Sequence, residues 1–286
     1  MQLLPEATNG IPSLLASLAA KPMLPAIPEM EKMMLALPQA EAPVVHLFSP
    51  GLCVRQVTLP AGNVAIGHLQ KYEHLNIMLE GCVTMDDGQT LTAPLVFVGK
   101  PGRKRGYVHE KVTWLNVYPT DLTTGDEVEA YFIEKSEAFS NHERSTREGK
   151  NCFADHVDFD KMLDDLGVTK EQVKLESENP YDQIKMPLGF YKFQLAESPI
   201  HGKVVFACSP YEAGELIGEA NIGGNRTPLG RYTNQSASPN STMVYRSGNI
   251  YLYADKNIQG QMGGMVGEEI TVDYRQARME AMKCLA

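Results

Sequence analysis

Cysteine, tryptophan, long apolar runs and basic residues are all scarce in this 286-residue chain. The five cysteines (Cys53, Cys82, Cys152, Cys208, Cys284) are widely spaced, odd in number and never form a C-x-x-C pair, which excludes a disulfide framework and a zinc ribbon. They are expected to be reduced thiols. No apolar run reaches the roughly 18 residues needed to cross a bilayer. The opening MQLLPEATNG lacks a basic region and is interrupted by Pro5, Glu6 and Asn9, so no secretory leader is expected and the expected location is the cytoplasm. Lysine and arginine total 26 against 35 aspartates and glutamates, a net charge of −9. Such a chain lacks the basic footprint that displaces counterions from nucleic acid, and it favours a basic protein as partner. Glycines 218, 223, 224 and 230 fit neither phosphate-binding loop pattern and read as turn residues.

Hydrophobic residues make up 43% of the chain, enough for a sizeable core in two domains. The expected fold is mainly β, with short helices at the N-terminus and between two β domains. Residues 1–43 are cut by prolines at 5, 12, 22, 25, 28, 38 and 43, leaving room for short helices at 13–20 and 28–37. In the second, Met30, Met33, Met34 and Leu37 share one face, which either packs on its own domain or docks another subunit. Residues 44–139 read as short strands and turns, from LCVRQVTL at 52 to VEAYFIE at 128. Residues 140–185 turn polar and read as a linker followed by short helices. Asp158 is a candidate cap for the first, and Thr169 with Gln172 has capping-box spacing for the second. Residues 186–286 return to short strands. The basic loop of Lys100, Arg103, Lys104 and Arg105 reads as a solvated turn or as a contact for phosphate or an acidic partner. Trp114 reads as core.

In the first β region, Gly62, His68, Gln70, His74 and Gly81 follow the frame G-x5-H-x-Q-x3-H-x6-G. His68 and Gln70 share a strand face, and His74 and His109 can return to the same cavity from later strands, so three imidazoles could hold a divalent metal. The frame resembles the first motif of the cupin family, and Pro101, Gly106, His109 and Asn116 resemble its second. That resemblance implies a jelly roll with His68, His74 and His109 as metal candidates for zinc, copper or iron. Gln70 and His74 stand where the family has histidine and glutamate. The alternative is a jelly roll without metal, serving as a scaffold or as the dimerisation unit of a homodimer.

Two stretches near the end carry the main functional signal. Residues 231–240 read RYTNQSASPN, a polar turn-rich loop. Residues 267–274 read GEEITVDY, in which Ile270, Val272 and Tyr274 fall on one face of a strand ending in an inward phenol. With SPIHGKVVFA at 198–207 upstream, they resemble, in order, the signature segments of SET-domain protein lysine methyltransferases. The resemblance implies S-adenosylmethionine as cofactor and Tyr274 as the catalytic residue beside the transferred methyl. It further implies that Asn234 and Gln235 contact the cofactor, that Gly202, Lys203 and Val204 present backbone to it, and that Tyr232 walls the pocket. Val204 replaces a family glycine and Gln235 a family histidine. The implied partner is a lysine-containing basic segment of a protein; neither nucleic acid nor membrane is implied. Chains joining cupin and SET segments resemble bacteriophage-encoded proteins, which implies a host cytoplasm. Two other readings stand: a non-catalytic structural or virion-associated protein with a lapsed cofactor pocket, and a cupin metal module with the SET segment as a recognition arm.

Overall fold

The computed structural model describes residues 24–148, 153–198 and 202–284; the expected helix at 13–20 lies outside them. Helix α1 (Ile27–Leu35) leads into strands β1 (Val44–Ser49), β2 (Leu52–Leu59), β3 (Asn63–Ile66), β4 (Leu69–Gln70), β5 (His74–Met85), β6 (Thr90–Thr92), β7 (Leu95–Gly99) and β8 (Arg105–Pro119). Then come α2 (Gly125–Phe132), β9 (Ile133–Glu134), α3 (Glu137–Glu148), α4 (Phe153–Leu166) and α5 (Lys170–Glu178). The last third holds β10 (Phe190–Tyr191), β11 (Phe193–Glu197), β12 (Lys203–Ala207), β13 (Leu216–Ile222), β14 (Asn225–Arg226), α6 (Pro228–Arg231), β15 (Asn234–Gln235), β16 (Ser241–Arg246), β17 (Asn249–Ala254), β18 (Thr271–Val272) and α7 (Tyr274–Lys283). The fold is mainly β, and no helix among the described residues is long and apolar enough to cross a membrane.

The first sheet runs β10-β1-β2-β8-β5-β6, with β3 on β8 and β7 on β5, all antiparallel. Its inner face holds two apolar clusters, one around Phe48, Tyr118, Val128 and Phe132, the other around Met78, Val83, Val108 and Val112. The long β5 passes β8 through register shifts between Met78 and Val83, the irregularity that bends such a strand around a barrel. Gly81 sits there at φ +94, and a Cβ would lie 2.2 Å from the Lys111 carbonyl oxygen. Gly81→Ala is therefore expected to cost at least about 2 kcal/mol in urea denaturation, with no loss of fold at room temperature.

Three stretches fold otherwise than their patterns predict. VEAYFIE is a helix for most of its length, because acidic Asp126 and Glu127 suit a first turn and Val128 and Phe132, four apart, both face the barrel. Residues 140–148, polar enough to read as a linker, belong to α3, which buries Phe139 and Glu143 on one side. Asp158 caps nothing: α4 begins five residues earlier, and the Asp158 carboxylate serves Gln235 and Arg275 instead. The capping box of Thr169 and Gln172 forms as expected, with both reciprocal bonds present.

Helix α1 buries Met30 and Glu31 and leaves Met33 and Leu37 exposed. The Glu31 carboxylate accepts from both terminal nitrogens of Arg103 and from Ser136 Oγ at 2.8 Å. Arg105 adds a bond to the Pro25 carbonyl. Two arginines of the basic loop thus clamp α1 to the barrel, and the loop is neither a merely solvated turn nor a free anion contact at those positions.

The C-terminal core gathers Phe193, Leu195, Val205, Ile217, Leu252, Ile270 and their neighbours between the β11–β12 hairpin and the sheet β14-β13-β17-β16. It is joined to the barrel by backbone: Val44 N donates to the Cys208 carbonyl (3.0 Å), Ala42 N to Gln261 (3.1 Å), and Gly263 N to Ala40 (2.7 Å). The glycine-rich run 260–267 makes the second and third of these contacts. Gly263, at φ +59, lies where a Cβ would strike Gln39, so only a residue without one fits.

Candidate functional site

The two signature stretches, about thirty residues apart in sequence, lie side by side. β15 pairs with β18 in parallel, Asn234 opposite Thr271 and Gln235 opposite Val272. Asn240 locks the crossing: its amide donates to the Glu269 carbonyl (2.8 Å) and its oxygen accepts from Thr271 N (2.9 Å). Tyr274 is the first residue of α7 rather than the end of a strand, because Asp273 accepts from Arg275 N and starts a helix there. Its phenol nevertheless turns inward as expected. The hydroxyl donates to the Thr233 carbonyl at 3.0 Å, and Phe159 of α4 packs edge-on to the ring. Burial pushes this phenol up to about 12.

Gln235 is 4% exposed, and both ends of its amide are engaged. Its Nε2 donates to Asp158 (2.6 Å) and to the Ser236 carbonyl (3.0 Å), while its Oε1 accepts from Tyr274 N (2.6 Å). Asn234 Nδ2 donates to Glu269 Oε1 (2.9 Å), whose other oxygen accepts from Ser198 Oγ (2.6 Å). Helix α4 closes one side: Asp155 accepts from Ser236 Oγ and Ala237 N, and Arg275 bridges Asp158 and Asp165.

The structure thus brings Asn234, Gln235 and Tyr274 together. Lys203 and Tyr232 line a neighbouring cleft of about 150 Å³ with Arg226, Arg231, Thr124 and Glu127. There Lys203 Nζ reaches Asp126 of α2 at 2.7 Å, and the Arg231 guanidinium lies over the Tyr232 ring. Val204, next along β12, turns its side chain away to pack with Phe206 and Val266. Gly202 takes a left-handed φ of +55, and its carbonyl accepts from Ser198 N.

The three candidate metal histidines are not brought together. His74 is buried, with Nδ1 3.0 Å from the Tyr72 carbonyl. His109 stands on the outer face of β8, its Nε2 2.7 Å from Thr84 Oγ1, since the inward positions on either side belong to Val108 and Val112. His68 packs edge-on against Phe139, and burial pushes its imidazole down to about 3. Gln70 accepts from Tyr118 OH at 3.0 Å. No group of three histidine, cysteine, aspartate or glutamate side chains among the described residues could hold a metal ion. The residues present therefore do not fit the divalent metal that the motif implies. The frame supplies the right residues, but the barrel interior is filled by Tyr118, Met78 and Phe132.

Sequence reasoning missed a polar row inside that barrel. Register aligns His46 with Arg55, Arg55 with Asn116, and Asn116 with Asn76 across four strands. Arg55 Nε donates to Glu129 Oε1 of α2 at 2.8 Å, and His46 Nε2 lies 3.8 Å from the same oxygen. Asn76 Oδ1 accepts from both Asn116 and Trp114 at 2.8 Å. Burial alone would raise Glu129, yet Arg55, Lys135 and His46 bring it down to about 2. Burial pushes His46 down to about 4 against the pull of Glu129. The available signal was HLNI at 74–77, where polar His74 and Asn76 alternate with apolar Leu75 and Ile77.

No family model matches the chain, and no curated protein matches it. Among solved structures it is similar to an acetylacetone dioxygenase from Acinetobacter johnsonii, with 16% identity over 29% of this chain and 63% of that one and a TM-score of 0.25. It is similar also to a Ralstonia eutropha protein with a cupin-like fold (13% identity, 27% and 59% covered, TM-score 0.22). A third is a cupin-2 domain containing protein from Shewanella frigidimarina (14% identity, 32% and 92%, TM-score 0.24). The chain spans about three fifths of the length of the first two.

Proposed function

We propose that the C-terminal unit transfers a methyl group from S-adenosylmethionine to a lysine side chain of a basic protein segment, with the barrel as its metal-free scaffold. The observation that carries this reading is the crossing of residues 233–236 with 269–274, which sets the Tyr274 hydroxyl on the Thr233 carbonyl. Methyl transfer needs two reactants held in line and oxygen atoms facing a polarised methyl, rather than a strong acid or base. The cofactor, when bound, supplies a sulfonium methyl. With its pKa near 12, Tyr274 stays protonated at neutral pH, so it orients through its oxygen and takes no proton. The Asn234 amide and the backbone at 202–204 would hold the cofactor. Four free thiols among the described residues, Cys53, Cys82, Cys208 and Cys284, agree with a reducing cytoplasm, that of the host for a phage-encoded chain.

Calorimetric titration with S-adenosylmethionine tests the reading. Saturable binding is expected, weakened about tenfold by Asn234→Ala through loss of hydrogen bonds worth about 1.4 kcal/mol. No binding by a folded protein would sink it. A second reading, a non-catalytic interaction protein with a lapsed pocket, is favoured by the commitment of Gln235 to Asp158 and Tyr274 and of the Asn234 amide to Glu269. That reading takes over if the titration is silent.

A further inference from the structure

Helix α4 spends its carboxylates on the crossing. Asp155 accepts from Ser236 Oγ (2.7 Å) and Ala237 N (3.0 Å), and Asp158 accepts from Gln235 Nε2 (2.6 Å). Asp158 also takes both terminal nitrogens of Arg275 (3.2 and 3.3 Å), while Asp165 takes its Nε (3.3 Å) and one of the same terminal nitrogens (3.2 Å). Phe159, one residue beyond Asp158, lies edge-on to the Tyr274 ring. The two halves of the helix are held differently. Met162 and Leu163 are buried, so apolar contact anchors the second half. In the first half Phe153 and Val157 are 74% and 51% exposed. The contacts among the described residues that tie those turns to 235–237 are the two carboxylates. Asp158 is 25% exposed and Arg275 28%, and polar contacts with that access to water are individually weak and screened by salt. The first half can therefore swing out about the anchored second half, a local opening that leaves the core closed.

We infer that α4 is an autoinhibitory cover, seated on the C-terminal site in the cofactor-free chain and displaced when the cofactor binds. The inference rests on the methyl-transfer reading, in which Gln235 contacts the cofactor. The Gln235 amide has no capacity to spare: one N–H goes to Asp158, the other to the Ser236 carbonyl, and its oxygen holds Tyr274 N. An incoming ligand must take the place of one of these partners. The Ser236 and Tyr274 bonds are to the backbone of the crossing itself, so the bond to Asp158 is the one that can go without disturbing it. Its loss, with that of the Asp155 bonds, frees the first half of α4 and lifts Phe159 from the Tyr274 ring, which gives the phenol the open side that an acceptor lysine must reach. Cover and cofactor are thus rivals for one amide, and the apparent dissociation constant is raised by the reciprocal of the uncovered fraction. The same rivalry accounts for a Gln235 whose every polar group is taken, without a lapsed pocket.

Hydrogen exchange and calorimetry on the full chain test this. A ligand that binds the uncovered form alone must favour that form, so saturating S-adenosylmethionine is expected to speed amide exchange at 157–161 at least about threefold. That is the reverse of the protection a ligand ordinarily confers, and 249–254 in β17 should not share it. Asp155→Ala with Asp158→Ala should bind the cofactor about tenfold more tightly than the unsubstituted chain and exchange 157–161 rapidly with or without it. Asp160→Ala with Asp164→Ala, an equal loss of charge from exposed positions on the same helix, should change neither. Should the first double variant misfold, raising sodium chloride from about 0.05 to about 0.5 M should speed exchange at 157–161 in the unsubstituted chain. Exchange there that the cofactor slows or that ignores salt, or equal affinity in the folded variant, would overturn the cover and leave the methyl-transfer reading standing. Absence of cofactor binding by both proteins would overturn that reading and the inference with it.

Discussion

A Tyr274→Phe variant is expected to transfer methyl groups about 100-fold more slowly, while binding S-adenosylmethionine within about threefold of the unsubstituted chain. The substitution keeps the ring and its contact with Phe159 and removes one oxygen, the atom lodged on the Thr233 carbonyl. The missing atom matters where the methyl is in flight, so the loss should fall on the chemical step. Folding should lose only about 1 kcal/mol, the net worth of one buried hydrogen bond. Single-turnover transfer of labelled methyl groups to a lysine-rich peptide reads the effect. The pH profile provides a second check. Because the phenol titrates near 12, the rate should climb with substrate lysine deprotonation and show no descending limb below about pH 10. An unchanged rate in the phenylalanine variant would remove Tyr274 from the reaction.

The largest stability effect is expected at Glu129. Glu129→Ala leaves the Arg55 guanidinium buried without its partner and should cost about 3–5 kcal/mol in urea denaturation. Replacing both, Arg55→Met with Glu129→Leu, should restore most of the loss, since two apolar groups of similar volume leave no buried charge. The same cluster sets the response to acid. Glu129 is depressed from 4.5 to about 2, so its contribution is present above pH 4.5 and disappears as pH falls towards 2. His46 is also depressed, from 6.5 to about 4, so the unfolded chain binds the proton first and stability falls as pH drops from 6.5 towards 4. The decline should thus begin near pH 6.5, well above the carboxylate range, and amount to a few kcal/mol from His46 alone by pH 4. Stability independent of pH between 7 and 5 would contradict this burial of His46.

Much of the β framework was legible because strands announce themselves locally: LCVRQVTL, NVAI and IYLYA form where the period of two places them. The crossing of 234–235 with 271–272 was not, since 231–240 reads as a polar loop and the pairing joins residues nearly forty positions apart. The helices α2 and α3 were not, since VEAYF has the β-branched and aromatic content of a strand and NHERSTRE the polarity of a linker; what decides both is one buried face against a barrel built elsewhere in the chain. The metal frame misled for the same reason. Spacing sets which residues are near in sequence, but the orientation of His109 depends on the register of β8 against β5, a long-range property. The row of His46, Arg55, Asn116 and Asn76 joins four strands and no sequence window contains it.

The ties between the two halves bear on how the protein is made. Strand β1 pairs on its free edge with residues 190–191, and Val44 donates to Cys208. A chain leaving the ribosome from its N-terminus therefore carries a sheet whose β1 edge is unpaired until about two thirds of its length has been translated. During that interval the edge is a template for stray strands from neighbouring nascent chains. Slow translation between residues 140 and 190 would lengthen the hazard, and holdase chaperones acting on the nascent chain would shorten its effect.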